Sequence, residues 1–151
     1  MFSDRLSFAG IFLIVFFSAL PLYGYELCFQ KAAMDKGISP LLLSSVCKWE
    51  SKLQPRALNW NKNGTYDFGL CQINSGHYKD LGHALLMQLG DPCTNIKVAA
   101  DILADCISKH GYTWRAVGCY NAGSKDTPKY EHKRQQYAWL IYRTMKNAAT
   151  R

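Results

Sequence analysis

Apolar side chains recur at helical spacing through most of the chain. Ser39 and Asp91 each stand directly before a proline, a pairing that favours a helix start, and Gly111 follows one of the periodic segments. Thr113 is a further candidate cap. The pattern predicts helices over residues 25–36, 40–51, 84–89, 92–110, 114–120 and 129–147.

The spacing also indicates which side chains should face the core. The predicted apolar faces are Leu27, Cys28, Ala32 and Met34 in the first helix, and Tyr130, Tyr137, Leu140, Ile141 and Met145 in the last. Trp49, Trp114 and Trp139 are also assigned to the core, because large aromatic side chains are mostly buried.

The helical period is lost between residues 53 and 73. Asn, Gly, Thr and aromatic residues accumulate there around Asn63 and Gly64, a pair typical of tight hairpin turns. We therefore predict a β-hairpin, or two short strands, with Asn63 and Gly64 at the turn. The fold class that follows is mostly α, of the α+β type, with one small β-hairpin.

The first 24 residues have the features of a secretory signal. Arg5 precedes an apolar run over residues 6–20, and Gly24 is a small residue before Tyr25, where we expect cleavage. A membrane anchor is the alternative, but the uncharged stretch is shorter than the roughly 20 apolar residues that a spanning helix needs. Residues 25–151 are then one domain outside the cytoplasm.

Six cysteines lie in this domain, an even number that suits disulfides in an oxidising compartment. Spacing alone does not choose among their pairings. It excludes Cys93 with Cys106, which would be separated by about 20 Å of rise on one helix. A metal site is not expected, because no pair of ligands has zinc-binding spacing. No cofactor is expected either.

The chain is basic, with a formal net charge of +7 that removal of the leader does not change. Such a surface favours an acidic partner: nucleic acid, anionic lipid or an acidic wall polymer. Export and the lack of any nucleic-acid-binding motif argue against nucleic acid. Peptidoglycan, whose stem peptides carry carboxylates, is the acidic polymer that an exported protein meets first.

Glu50 and Asp67 are the candidate catalytic residues. Glu50 falls at the C-terminal end of a predicted buried helix, where an ionised carboxylate is disfavoured and its pKa should rise. A carboxylic acid of raised pKa can protonate the leaving oxygen of a glycosidic bond. Asp67, on the far arm of the hairpin, is a candidate second carboxylate. Taken alone, such a pair is common at helix ends and in turns.

Four longer segments surround these residues: VCKWES (46–51), NKNGTYDFGLCQIN (61–74), GDPC (90–93) and WRAVGCYNAG (114–123), followed by a final helix that contains a tyrosine. These segments resemble the lysozyme-like lytic transglycosylases, specifically the small single-domain enzymes attached to type III secretion, conjugation and pilus systems. They occur in that family's order across nearly the whole mature domain.

The resemblance assigns roles to individual residues. It implies that Glu50 is the catalytic acid and base and that Gln72 lines the glycan cleft. It also implies that Tyr120 and Asn121 reach toward the glutamate and the substrate, and that Tyr137 belongs to the last cleft helix. Trp60 and Tyr66 either stack on sugar rings or pack against neighbouring side chains.

Two of the cysteines occupy positions where secretion-associated relatives also carry cysteine. The resemblance therefore implies a disulfide between Cys28 and Cys93. Cys71 and Cys119 stand where the family usually has Met and Ala, which suggests that extra disulfides brace the cleft. Their partners, together with those of Cys47 and Cys106, stay open.

The segment TYDFGLCQINS also resembles animal C-type lysozymes, which share the 17-residue interval between Glu and Asp. The expected function is therefore a periplasmic lytic transglycosylase that opens peptidoglycan for a secretion, conjugation or pilus apparatus. A hydrolytic lysozyme that uses Glu50 and Asp67 is the first alternative, and a non-catalytic wall-binding assembly factor is the second. We expect a monomer.

Overall fold

The computed structural model describes residues 24–77 and 88–150. Its helices are α1 (Glu26–Asp35), α2 (Pro40–Ser51), α3 (Pro92–His110), α4 (Trp114–Ala122) and α5 (Pro128–Ala149), and its strands are β1 (Leu58–Trp60), β2 (Tyr66–Phe68) and β3 (Ile73–Asn74), with a 3-10 turn at Ser75–His77. The expected leader and most of the helix expected over residues 84–89 lie outside the described residues. No helix within these ranges is long and apolar enough to cross a membrane.

Four helices begin with a side-chain N-cap. A side-chain oxygen accepts a hydrogen bond from the backbone N–H three residues later, which satisfies one of the N–H groups that a helix start leaves free. The acceptors are Ser39, Asp91, Thr113 and Thr127, and the donors are Leu42, Thr94, Ala116 and Tyr130. The helix starts at Ser39, Asp91 and Thr113 confirm the prediction from sequence.

The β element is a three-stranded antiparallel sheet in the order β1-β2-β3. Asn63 and Gly64 occupy the turn between β1 and β2, as predicted, and Asp67 pairs with Asn59 on one side and with Asn74 on the other. The predicted hairpin is confirmed, but the sheet also has a third strand that the sequence analysis did not predict. A second turn, with positive φ at Gly69 and Gln72, returns the chain at once and adds β3.

The core lies among the helices and the inner side of the sheet, but some apolar side chains predicted for it are outside. Leu27 and Met34 are 76% and 74% exposed, and α1 buries Phe29 and Ala33 instead. In the last helix Tyr137 and Ile141 are buried, as predicted.

The three tryptophans assigned to the core are also partly exposed. Trp49, Trp114 and Trp139 expose 45%, 46% and 58% of their surface. Helices α4 and α5 approach each other so closely that a Cβ at Gly118 would lie 2.3 Å from the backbone oxygen of Arg134. Trp114 and Trp139 instead pack on Tyr142 at the surface.

Three disulfides join neighbouring elements. Cys28–Cys93 links α1 to α3, which confirms the pairing implied by the resemblance. Cys47–Cys71 links α2 to the turn after β2, and Cys106–Cys119 links α3 to α4. Cys93 and Cys106 are not bonded to each other, as their helical separation requires.

The buried side chain of Asn95 fixes the turn after β2 to helix α3. Its amide nitrogen donates to the carbonyl oxygens of Phe68 and Leu89, and its amide oxygen accepts from the N–H of Cys71. Gly69 has φ of 82°, and a Cβ there would lie 2.1 Å from the Asn95 amide nitrogen. The position therefore requires glycine for its backbone and for its packing.

The two glycines Gly64 and Gly69 form a matched pair, because both have φ near 80° and only Gly69 is crowded. Gly64→Ala should lower the free energy of unfolding by about 1 kcal/mol, the penalty of a left-handed alanine. Gly69→Ala should lower it by about 3 kcal/mol or more, because the buried Asn95 amide must also move and lose hydrogen bonds. Urea unfolding measures both, and equal losses would contradict the packing described for Gly69.

Candidate active site

A cleft of about 810 Å³ opens between the sheet and the helices. The predicted site residues that line it are Glu50, Asp67, Gln72, Tyr120 and Asn121. Residues far apart in sequence therefore meet at one place: the end of α2, strand β2 with the turn after it, and the C-terminal end of α4.

Glu50 lies in the last turn of α2, and the helix end that carries it is firmly attached. The hydroxyl of Ser51 donates to the carbonyl oxygen of Leu70 at 2.6 Å and accepts from the backbone N–H of Gln54 at 3.0 Å. Lys52 then adopts a left-handed conformation that ends the helix. Ser51 therefore ends α2 and connects it to the turn after β2.

The environment of Glu50 raises the pKa of its carboxyl from 4.5 to about 7. Burial is the largest cause, because a partly enclosed carboxylate loses hydration. The phenol of Tyr137 donates a hydrogen bond to Glu50 Oε1, which favours the ionised form and opposes the rise, while the negative charge of Asp67 adds to it. Burial, rather than the helix end, is thus the main origin of the expected shift.

Asp67 is held by two asparagines that the sequence analysis did not assign to the site. Its Oδ2 accepts from the amide of Asn61 at 2.9 Å, and its Oδ1 accepts from the amide of Asn74 at 2.6 Å. Both amides also donate to Thr65 Oγ1. Asn74 stands opposite Asp67 in the β2–β3 register, so recognition of a third strand would have identified it.

Two tyrosines lie near the Glu50 carboxyl, and their contacts differ from the expectation. Tyr137, not Tyr120, donates to Glu50. The phenol of Tyr120 donates to the carbonyl oxygen of Cys71 at 2.8 Å and so positions the turn after β2. Burial, together with the nearby Glu50 charge, raises the pKa of both phenols well above 10.0, so both remain protonated donors.

Gln72 lines the cleft, as the resemblance implied, but its amide is engaged within the protein. The amide nitrogen donates to the carbonyl oxygens of Ala57 and Gly69, and the amide oxygen accepts from Asn59. Both amide protons are therefore used to brace the sheet. Asn121, by contrast, is exposed at the end of α4.

Trp60 and Tyr66 pack against each other on paired positions of β1 and β2, with ring centroids 5.2 Å apart. Trp60 nevertheless remains 72% exposed.

Within the described ranges, no group of three or more His, Cys, Asp or Glu side chains is arranged to hold a metal ion.

Comparison with known proteins identifies the family to which this site belongs. Residues 27–140 match the family model described as the transglycosylase SLT domain. The chain belongs to this family. An SLT domain of this kind is a lytic transglycosylase, so the enzyme class predicted from the sequence is confirmed.

Curated relatives extend the match over most of their length. The SLT domain protein described here is 40% identical to invasion protein IagB of Salmonella typhimurium, over 79% of this chain and 77% of that protein. It is 35% identical to protein IpgF of Shigella flexneri, over 87% and 88% of the two chains. It is 36% identical to the X polypeptide of Escherichia coli, over 77% and 70%.

A solved structure supports the fold. The lytic transglycosylase Slt of Pseudomonas aeruginosa superposes with a TM-score of 0.60 at 20% identity, over 79% of this chain. This SLT domain spans only 23% of that protein. The predicted lysozyme-like, mostly helical fold is confirmed.

The raised pKa of Glu50 implies a pH-dependent loss of stability. Between about pH 4.5 and about pH 7 the folded side chain keeps its proton while the unfolded one has lost it, so folding becomes less favourable as the pH rises. Glu50→Gln should remove this effect. At pH 8 the variant should exceed the wild type in free energy of unfolding by up to about 3 kcal/mol, and the gain should vanish near pH 4.

Urea unfolding at several pH values measures this difference. Glu26→Gln, which removes an exposed carboxylate at the start of α1, is the matched control. A stability difference between Glu50→Gln and the wild type that stays constant with pH would contradict the burial of an ionisable Glu50.

Proposed function

We propose that this SLT domain cleaves the β-1,4 bond between N-acetylmuramic acid and N-acetylglucosamine in peptidoglycan and leaves a 1,6-anhydro-muramyl end. The observation that carries the proposal is the carboxyl of Glu50 in the cleft, whose pKa of about 7 lets it give and take a proton near neutral pH. Asp67 faces the same cleft from the sheet.

In the first step, protonated Glu50 donates its proton to the oxygen that links the two sugars. The bond from the muramyl C1 to that oxygen breaks, and the glucosaminyl unit leaves as an alcohol. The acetamido oxygen of the muramyl sugar assists by approaching C1 as positive charge develops there. Tyr137 positions the Glu50 carboxyl during this step through the hydrogen bond to Oε1.

In the second step, Glu50 is a carboxylate and acts as the base. It takes the proton from the muramyl C6 hydroxyl while that oxygen forms a bond to C1, which closes the anhydro ring and restores the Glu50 acid. No water is consumed, and no cofactor is needed. Asp67, fixed by Asn61 and Asn74, places negative charge near the developing oxocarbenium-like centre.

Substrate contacts are assigned to the exposed part of the cleft. Asn121 is the side chain that we propose to bind a sugar acetamido group, because it lines the cleft and is exposed. Gln72 is proposed to shape the cleft wall rather than to donate to the sugar, since its amide protons are used within the sheet. Tyr120 supports the same wall through Cys71.

We further propose that the enzyme acts in the periplasm as a monomer and opens the wall locally for a secretion, conjugation or pilus apparatus. Two lines of support exist: the exported leader expected from residues 1–24, and a similar protein of Salmonella typhimurium that is named an invasion protein. The basic surface suits a polymer that carries carboxylates.

A hydrolytic lysozyme is the second candidate function, and the position of Asp67 is the observation that favours it. A retaining glycosidase uses two carboxyl groups across the sugar, the second as a nucleophile or stabiliser, before water completes the reaction. Glu50 and Asp67 line one cleft and the charge of Asp67 acts on Glu50, so the same site admits this reaction. The products distinguish the two functions.

Mass spectrometry of muropeptides released from purified peptidoglycan by the purified protein tests the proposal. Anhydro products are lighter by one water than hydrolytic products, and we expect the lighter set. Glu50→Gln should abolish release. Asp67→Asn should lower kcat by roughly a hundredfold to a thousandfold without changing the product, which is the range for removal of one electrostatic contact in a transition state.

Reducing ends in the released muropeptides would overturn the transglycosylase assignment in favour of a lysozyme. Full wall digestion by the Glu50→Gln variant would contradict the role of Glu50. An unchanged rate in Asp67→Asn would remove Asp67 from the mechanism.

A further inference from the structure

Three aromatic side chains form an exposed groove on α4 and α5, on residues that the proposed mechanism does not use. Trp114, Trp139 and Tyr142 expose 46%, 58% and 41% of their surface. The ring of Tyr142 lies 5.6 Å from each tryptophan ring, edge-on to Trp114 and nearly parallel to Trp139. With Arg115, Glu131, Gln135 and Ala138 they line a groove of about 400 Å³, called here the aromatic groove.

The aromatic groove is separate from the catalytic cleft. The two share none of their described lining residues. Helix α4 supplies its first turn to the groove, through Trp114 and Arg115, and its last turn to the cleft, through Tyr120 and Asn121. A ligand in the groove therefore leaves Glu50 accessible.

The three rings are contiguous and exposed, and the one buried residue among those that line the groove is Ala138. Contiguous exposed apolar side chains with a polar rim mark interaction sites on soluble proteins. Trp and Tyr are well suited to this, because they offer a large rigid surface together with a polar group.

The chemistry of the groove fits a sugar ring. A pyranose has an apolar face of C–H groups, which packs flat on an aromatic ring, and a polar edge of hydroxyl and amide groups. The rim offers both kinds of partner: Arg115, held in place by Asp126 and Glu131, donates, and Gln135 donates and accepts. The volume lies in the range of sites for small ligands.

Charge and size favour a wall polymer over a protein partner. Arg143 and Lys146 are exposed one helical turn beyond Trp139 and Tyr142, in a chain of net charge +7, so the surroundings of the groove complement the carboxylates of stem peptides. A stable protein interface uses about 20 to 30 residues on each side, many more than the groove provides.

We propose that the aromatic groove is a second glycan-binding site, which holds a peptidoglycan strand while the catalytic cleft acts on the polymer. The inference rests on the proposed function, because peptidoglycan is taken as the substrate. Two contacts with one polymer raise the effective concentration of the cleft at the wall without a change in the cleft itself. Loss of the groove should therefore weaken wall binding and leave the cleavage of short glycans unchanged.

The experiment measures pelleting of the protein with insoluble peptidoglycan, in the Glu50→Gln background so that the wall is not digested. Replacing Trp139 by Ala should weaken binding about tenfold, which corresponds to the loss of one good aromatic contact. Trp139→Tyr, which keeps an aromatic face, should restore most of the affinity. Leu27→Ala is the matched control, because Leu27 is an apolar side chain, 76% exposed on α1, outside both sites.

A second measurement separates binding from catalysis. With Glu50 restored, Trp139→Ala should cleave a soluble glycan tetrasaccharide at the wild-type rate and intact wall more slowly at low enzyme concentration. Equal pelleting of Trp139→Ala and Leu27→Ala would overturn the inference and favour a protein as the partner of the groove. If pelleting of the wild type depends on Trp139 but the wild type releases no muropeptides, the proposed function is overturned and the second binding site is retained.

Discussion

The turn from Gly69 to Gln72 is the point at which the sheet is fixed to the helices, and the geometry of the cleft depends on it. Cys71 is joined to α2 by its disulfide to Cys47, to α3 by the side chain of Asn95 and to α4 by the phenol of Tyr120. Directly beside it, the carbonyl oxygen of Leu70 accepts a hydrogen bond from the hydroxyl of Ser51 at the end of α2. Because the same short turn follows Asp67 and contacts the helix that carries Glu50, both carboxyl groups line one cleft and the charge of Asp67 acts on Glu50.

The two carboxyl groups lie in different surroundings, and that difference supports different roles. Glu50 is partly enclosed and receives a hydrogen bond from one phenol, so burial dominates and its pKa rises. Asp67 lies on a strand and accepts hydrogen bonds from two amides. Pairs of titratable groups in contrasting environments are the usual basis for separate acid and stabilising functions in one site. The phenols of Tyr120 and Tyr137 near Glu50 stay neutral, since burial raises their own pKa values.

Local signals in the sequence predicted much of the fold. A capping side chain before proline at Ser39 and Asp91 placed two helix starts, and the Asn63–Gly64 pair placed the first turn of the sheet. The features that were missed depend on contacts between distant segments. The side chain of Asn95 and the third strand follow from the turn at Gly69, and no periodic pattern shows that Trp114 and Trp139 pack on Tyr142 at the surface rather than in the core. The contact of Tyr137, rather than Tyr120, with Glu50 has the same origin, because a resemblance names tyrosines in a cleft but does not show which phenol contacts the acid.

The protonation of Glu50 near neutral pH is the central claim, and an NMR titration of its side chain tests it most directly. In protein labelled with ¹³C at the glutamate carboxyl carbons, the Glu50 resonance is assigned by its absence from the Glu50→Gln spectrum and followed from pH 3 to pH 9. We expect a midpoint at about 7, because burial, with the nearby charge of Asp67, outweighs the hydrogen bond from Tyr137. A midpoint near 4.5, the ordinary value for glutamate, would contradict the assignment of Glu50 as the acid and base of the reaction.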